Sequence, residues 1–503
     1  MNFPVLSVIT FTPLVAALII LLLPANRKNA ARAVALAAAA FALILSVWVY
    51  FTYDQAAAGY QFIEKYDWLP VLGISLHFGV DGISTPLVLL TGVVMFTGVL
   101  ISWGDDHPHV MAGIQDRPRE FFAFLFVLAT GVFGVFVSLD LFMLIFFYDI
   151  AVFPMYLLIV IWGWNVTREY AAMKLTLYLL IGSIVSLAGI LVMFIVQFQN
   201  TGILSFDMLV MENAGFSSSF QILWFLPVFL GFAVLGGIWP FHNWSPDGHV
   251  AAPTAVSMFH AGVLMKLGAF AALRVGIMLL PEGAKYWQWL IMACAAIAVV
   301  YGAYIAFVQM DFKYMVGFSS VSHMGLVMLG FSTLNREGLL GSGLQMFSHG
   351  AMTALFFAVV GMIYDRAHTR QIPELGGMSK VMPFAAVGFI IGGLVSMGMP
   401  LFSGFIAEFP IFLGVWREQW LVAVVSSISI VITAGYILRN VRQVFFGELP
   451  EKLAGHLTDI TVMDKLAIAM LCIFMVLIGL YPNFMVPMVQ TGVDYILRLL
   501  GGS

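Results

Sequence analysis

The sequence predicts an all-α polytopic membrane protein with about fourteen transmembrane helices, each an apolar run of roughly 20 residues. Three observations lead there. Apolar residues make up 62% of the chain and charged residues only 10%, with a mean hydropathy of +1.00; a globular domain carries about 25% charge. Apolar runs long enough to cross a bilayer recur from one end of the chain to the other. Two of them are interrupted by proline, near Pro240 and Pro400, with polar or ionisable residues close by.

Taken in order, the runs centre near Ala16, Ala40, Gly92, Val127, Tyr148, Ser186, Leu230, Lys266, Ile297, Leu326, Phe356, Gly393, Ile430 and Ile473. The first, Val5 to Leu23, has no basic region before it and no small-residue cleavage site after it, so it reads as a retained helix. The run at Tyr148 holds Asp149. The run at Leu230 continues to Trp239 and is stopped by Pro240. A polar stretch follows, with His242, Asn243, Asp247 and His249 before Pro253, and a new helix starts near Thr254 with Lys266 in its interior. The longest polar connection, Arg439 to Lys465, is too short for a catalytic domain. The chain is membrane from end to end.

Charge and cysteine exclude several classes. The net charge of -4 comes with no basic cluster, which argues against nucleic acid. Cys294 and Cys472 both lie in apolar runs and form neither a disulfide framework nor a metal set. Arg27, Lys28, Arg117, Arg168, Lys313, Arg370, Lys380 and Arg442 are among the basic residues that fall in one set of alternate loops; far fewer fall in the other. The richer side reads as cytoplasmic. Both termini then lie outside, on the periplasmic side of a bacterial inner membrane. Gly231-Phe232, Gly236-Gly237 and Pro240 are echoed by Gly388-Phe389, Gly392-Gly393 and Pro400. Interrupted helices in corresponding halves point to an inverted-repeat transporter core.

A helix broken at membrane depth frees backbone groups that lipid cannot satisfy, so such breaks are buried in protein or line a wet cavity. Beside an intramembrane lysine this reads as an ion path. The alternative is a surface loop with Lys266 snorkelling to the interface. Asp149 has Ile145, Val152 and Phe153 as helical neighbours, so its partner must come from another helix. The alternative is a structural carboxyl bonded to a carbonyl. Lys266 has Gly262 and Phe270 at i±4, equally without polar groups. His323 follows Ser319 by one turn, and His349 stands between Gln345 and Thr353 at i±4. Hydroxyls and amides at that spacing hold water in file with an imidazole, which exchanges protons readily near its ordinary pKa of about 6.5; the alternative is that each histidine ties two helices together. Glu408 lies between Pro400 and Pro410, either on the path or as a helix-end carboxylate. His242, Asp247, His249 and His260 are accessory candidates. Haem ligation by the histidines is disfavoured because none forms a metal- or haem-attachment pair, and no nucleotide loop, flavin site or iron–sulfur cysteine set is present.

The run FFYDIAVFPMYLLIVIWG, the broken segment PFHNWSPDGHVAAPT, the following GVLMKLGAF, the string DFKYMVGFSSVSHMGLV and GMPLFSGFIAEFPIF resemble the antiporter-like subunit M family (chain 4 in mitochondria) of respiratory NADH–quinone oxidoreductase, complex I. The resemblance runs in order over nearly the whole chain. It implies a single membrane domain: N-terminal helices over 1–115, two inverted five-helix repeats over 116–280 and 281–446, and a C-terminal helix region over 447–503. It also implies a half-channel in each repeat, a polar axis joining them, and proton translocation driven by quinone reduction elsewhere in the complex. Asp149 is then the first-half carboxylate, Lys266 the central lysine, His323 and His349 the linking histidines, and Glu408 the outlet carboxylate. No catalytic, cofactor-binding or metal residue is implied on this chain; NADH, flavin, iron–sulfur clusters and quinone belong to partner subunits. Related functions share the core: a subunit of a multi-subunit sodium/proton antiporter, or of a membrane-bound hydrogenase or other complex I-like assembly.

The chain departs from the family at two positions. Asp149 stands where the family usually has glutamate. Leu235 stands where it usually has a lysine in the seventh helix, which leaves the first carboxylate without its charge partner unless His242, His260 or Lys174 approaches it.

Overall fold

The computed structural model describes residues 3–57, 59–103, 114, 116–455 and 457–501. The expected boundary between the N-terminal helices and the first repeat, at residues 115–116, touches residue 115, which lies outside them. The chain runs α1 (Val5–Leu22), α2 (Lys28–Thr52), a hairpin β1 (Gln61–Leu69) and β2 (Ile74–Val80), α3 (Ser84–Ile101), α4 (Pro118–Val137), α5 (Leu141–Trp162), α6 (Arg168–Thr201) and α7 (Ser218–Gly236). The short α8 (Trp244–Ala251) precedes α9 (Thr254–Ile277), α10 (Pro281–Val308), α11 (Phe312–Ser332), α12 (Arg336–Ala367), α13 (Pro383–Ser396), α14 (Ser403–Glu418), α15 (Trp420–Phe445), α16 (Val462–Leu480) and α17 (Val486–Leu499). Among the described residues, thirteen helices are long and apolar enough to cross a membrane. The expected run centred at Gly393 is instead the 14-residue α13, cut short by the second break. The connection expected from Arg439 is also shorter, because α15 continues to Phe445 through a π-helical turn.

Burial sorts the helices into a centre and a periphery. α3, α9, α11 and α12 are 94–100% buried along their most apolar windows, whereas α2 and α15 are 33% buried. A helix buried all round has no lipid-facing side, so any polar group it carries must be satisfied by protein or water. Lys266, His323 and His349 all sit on these central helices. α9 and α12 come close where glycine faces glycine: a Cβ on Gly350 would lie 2.6 Å from the Gly262 carbonyl oxygen. Small residues permit such approach, and here it sets Lys266 and His349 within one turn of the crossing.

Alternate connections gather on two faces. On one, Trp164 N–H donates to Ala251 O at 2.8 Å, Arg370 bonds Asp311 at 2.7 Å and Arg439 donates to Gln309 O at 3.4 Å. This is the face that collects the richer set of basic loops. On the other, the hairpin is pinned to the helix ends: Ser75 N–H donates to Asp140 at 3.0 Å, and Lys65 and His77 contact Asp207 at 2.7 and 3.0 Å. Asp140 also caps α5 by accepting from Phe142 and Met143 N–H, the usual work of an N-cap carboxylate.

Candidate functional site

The first break is built from helix-end chemistry. α7 ends at Gly236, three residues before the expected Trp239, because Gly237 takes a left-handed φ of +76°. Its N–H bonds Val234 O, and Ile238 N–H reaches back to Ala233 O, the paired closure of a Schellman cap. The second break closes identically: Gly398 has φ +62°, its N–H bonds Val395 O, and Met399 N–H bonds Leu394 O. The glycine that answers Gly237 is therefore Gly398, not Gly393 of the sequence echo.

The carbonyls left over at the end of α8 are taken by cations and hydroxyls. Lys313 Nζ donates to Val250 O and Ala252 O at 3.2 and 2.5 Å, and Arg370 donates to Val250 O at 3.3 Å. Ser257 Oγ donates to His249 O at 2.8 Å. The carbonyl end of a helix carries partial negative charge, which suits two cations beside it. Protein, not lipid, satisfies the break, as its depth requires.

Between the breaks lies a buried polar row. His249 and His260 have ring centroids 4.1 Å apart, and Trp244 stacks on His260 at 5.2 Å. Ser245 Oγ and His249 Nε2 are 3.0 Å apart. Lys266 is wholly buried; its ammonium donates to the carbonyl oxygen of Ala261, within a π-helical turn over His260–Leu264. Such turns loosen the helical ladder and recur at functional sites. Lys266 lies within electrostatic reach of His249, His260 and His349. His349 faces His323 with ring centroids 5.4 Å apart. His323 Nδ1 is 3.1 Å from Glu408 Oε1, and its Nε2 is 3.0 Å from Ser396 Oγ. The structure thus brings Lys266, His349, His323 and Glu408 together, with His249 and His260 at the near end.

Three of the polar neighbours expected beside the histidines bond elsewhere. Gln345 does not serve His349; its amide nitrogen bridges His323 Nδ1 at 3.2 Å and Glu408 Oε1 at 3.1 Å. Thr353 bonds back to its own helix at His349 O, and Ser319 accepts from Tyr436, not from His323. Neither ring nitrogen of His349 or His260 has a hydrogen-bond partner among the described residues. Buried polar atoms take water when protein offers nothing, and a row of imidazoles joined by water passes protons.

Asp149 stands apart from this row. It lies on an exposed side of α5 with Phe146 and Phe153, and its partner does come from another helix: Ser183 Oγ of α6 donates to Oδ1 at 2.7 Å. No cation among the described residues pairs with it. Lys174 is bound to Asp247 at 2.7 Å, His260 is stacked in the row, and His242 packs edge-on against Tyr301 at 5.2 Å. Leu235 is fully buried. Asp247 also accepts from Tyr314 Oη at 3.0 Å, which closes a polar cluster at the basic end of the break.

Sequence reasoning passed over Gln345 as a bridge, Ser396, Ser183 and Lys313. Each acts across helices, where spacing along one helix carries no signal. Among the described residues no group of three or more His, Cys, Asp or Glu is placed to hold a metal ion.

Comparison with known proteins places this geometry. Residues 138–433 match the family model described as NADH:quinone oxidoreductase/Mrp antiporter, transmembrane. NADH-quinone oxidoreductase subunit M of Rhodobacter capsulatus is 34% identical over 98% of this chain and 96% of its own length. The NAD(P)H-quinone oxidoreductase chain 4 3 of Trichormus variabilis is 34% identical, covering 96% and 89%. Among solved structures, a chain of respiratory complex I from Thermus thermophilus superposes with a TM-score of 0.88 at 25% identity, covering 99% and 100%. A chain of the Mrp complex from Dietzia sp. DQ12-45-1b gives 0.85 at 19% identity, covering 100% of each, and shares the fold.

Proposed function

The chain belongs to the NADH:quinone oxidoreductase/Mrp antiporter transmembrane family, and from that premise we propose that it is the M-type proton-translocating membrane subunit of a complex I-type NADH–quinone oxidoreductase. The single observation that carries this reading is the similarity to subunit M over both chains' nearly full length. The buried row from His249 to Glu408 supports it chemically. In this reading Lys266 is the central proton carrier, His349 and His323 relay between it and Glu408, and Glu408 passes the proton on. Asp149 is the first-half carboxylate; His242, Asp247, His249 and His260 are accessory. Protons move along the row in response to quinone reduction on partner subunits, which also carry NADH, flavin and iron–sulfur clusters.

The two inverted repeats, 116–280 and 281–446, are supported by the identical closure of the two breaks. The basic face is cytoplasmic, the membrane is a bacterial inner membrane, and both termini lie outside. The family description also names Mrp antiporters, so a sodium/proton antiporter subunit is the second reading. Purification of the tagged chain from native membranes separates the two. NADH-dependent quinone reduction that acidifies inverted vesicles is the expected result. Copurification with small antiporter subunits, with cation exchange but no quinone reductase, overturns the proposal; a copurifying nickel–iron hydrogenase redirects it to a complex I-like assembly.

A further inference from the structure

α15 is among the least buried spans, yet one of its sides is polar and fully enclosed. Ser426, Ser429, Thr433, Tyr436 and Asn440 recur at helical spacing, and all are 0–3% exposed. Residues three and four apart share a helix side, so these five form one stripe. Its lipid-facing opposite is apolar, with Val424, Val425, Ile428, Val431 and Leu438 exposed. A peripheral span needs no such polar side for stability; burying hydroxyls and an amide in place of methyls carries a cost unless each is bonded.

The stripe meets the proton row at His323. Nδ1 of that ring faces Glu408 and Gln345; Nε2 faces Ser396 Oγ at 3.0 Å. Ser396 is the last residue of α13, at the lip of the second break. Its hydroxyl and that of Thr433 lie beside the Tyr436 hydroxyl, which donates to Ser319 Oγ at 2.9 Å. One turn further, towards the basic face, is Asn440. It is fully buried, and neither its amide oxygen nor its amide nitrogen has a partner among the described residues. Next to it, Arg439 bonds Gln309 O at the membrane surface. Buried amides are satisfied in proteins as a rule, so Asn440 offers both a donor and an acceptor to water entering there. An imidazole, hydroxyls and a buried amide therefore succeed one another from the middle of the molecule towards the basic face.

We propose that the buried polar side of α15, from Asn440 through Tyr436 and Ser396 to His323, is a second proton route that opens on the basic face and feeds the Glu408 end of the row directly. It rests on the proton-translocation reading above. A proton arriving at Asn440 on water is handed to the Tyr436 hydroxyl as that group gives its own proton to Ser396. Ser396 in turn protonates His323 Nε2, and the imidazolium releases its Nδ1 proton to Glu408. Each hydroxyl gives one proton and takes one, so one proton moves; His323 is left as its Nε2–H tautomer and must return to the Nδ1–H form, by ring rotation or proton exchange, before the next proton passes. The second half then fills from its own side, without Lys266 as the only source.

The test uses the assembled complex in inverted membrane vesicles, with NADH-driven proton uptake and quinone reductase rate measured together. Tyr436→Phe and Thr433→Val keep shape and remove hydroxyls; Thr433→Ser keeps the hydroxyl and changes packing. The expected result is a several-fold fall in proton uptake for Tyr436→Phe, with assembly unchanged. Thr433→Val should show a smaller fall, restored in Thr433→Ser. A merely structural role would make Thr433→Ser, which loses a methyl, as harmful as Thr433→Val, and that pattern overturns the proposal. So does unchanged uptake in the Tyr436→Phe/Asn440→Leu double variant while Lys266→Ala still abolishes it. Uptake that survives Lys266→Ala, Tyr436→Phe and Glu408→Gln alike would instead remove the proton-translocation reading itself.

Discussion

The two halves of the chain hold their carboxylates in opposite ways. Glu408 in the second half is 5% exposed and meets His323 and Gln345, each at 3.1 Å. Asp149 in the first half is exposed on the side of α5 and meets one hydroxyl, Ser183. A buried ionisable group must be paired or hydrogen-bonded to several partners; with leucine at 235, the first half offers no lysine there. The second half keeps its carboxylate inside the buried row, beside His323 and Gln345. The first half has moved its ion pairs to the ends, at Lys174–Asp247 on one face and Lys65–Asp207 on the other. Enclosure of a carboxylate, on this comparison, follows its partners more than its helix.

The largest test is the group that joins the halves. Lys266→Ala, combined with Tyr436→Phe to close the α15 route, is expected to lower proton uptake by about 100-fold, the lower end of what a positioned proton donor contributes, with assembly intact. Near-normal uptake with normal quinone reductase would reduce Lys266 to a structural role and leave the halves unconnected.

Next, the carboxylates can be compared directly. Glu408→Gln removes a carboxyl from a three-group contact, and on the proposed function a fall on the order of tenfold is expected, smaller than for an obligatory donor because His323 and Gln345 remain there. Asp149→Asn keeps an acceptor for Ser183, so its cost should stay below about fivefold, the worth of one hydrogen bond of ~1 kcal/mol. Equal losses in the two variants would erase the distinction between the halves.

Leu235→Lys asks whether the missing lysine is the cause. An unpaired ammonium in a fully buried position is costly, so assembly should survive only while Asp149 can receive it. The expected result is assembled complex with Leu235→Lys, and much less with Leu235→Lys/Asp149→Asn. The coupling in that double-mutant cycle should exceed ~1 kcal/mol, as for residues in contact. Additive effects would show that position 235 and Asp149 do not communicate.

Most of this architecture is legible in the sequence, for a physical reason. A bilayer sets the length and composition of each span, so all fourteen expected centres fall on helices, Gly393 on the shortened α13. Ionisable residues inside apolar runs are costly, which makes Lys266, His323, His349 and Glu408 visible at once. What spacing cannot reveal is which helices meet. Gln345 sits one turn from His349 yet serves His323 and Glu408, because α11, α12 and α14 converge on its amide. The echo paired Gly237 with Gly393, whereas the backbone closure pairs it with Gly398, since equal spacing does not encode which glycine turns left-handed. The hairpin, with strands of 9 and 7 residues, is too short to register in a search for spans. Asp149 reads as buried from its helical neighbours, and only the third dimension shows it facing outwards.

The smallest expected effect concerns the end of the first half, where its ion pairs have gone. Burial alone would raise the Asp207 carboxyl, but hydrogen bonds from His77 and Lys65, with the His77 charge, outweigh it and hold the group at about 2, below the ordinary value of about 3.9. A carboxylate depressed in the folded state contributes stability that is complete above its unfolded value and disappears as pH falls through its folded one. The contact should therefore be at full strength above about pH 5 and fade between pH 4 and about 2, on the order of 2–3 kcal/mol in all. Asp207→Asn removes the charge, so its melting temperature should lie below that of the wild type near neutral pH, and the gap should narrow as the sample is acidified towards pH 3. A wild-type–Asp207→Asn difference that stays constant from pH 7 to pH 3 would mean that Asp207 works by packing alone, and the idea that the first half keeps its electrostatics at its ends would lose its outer anchor.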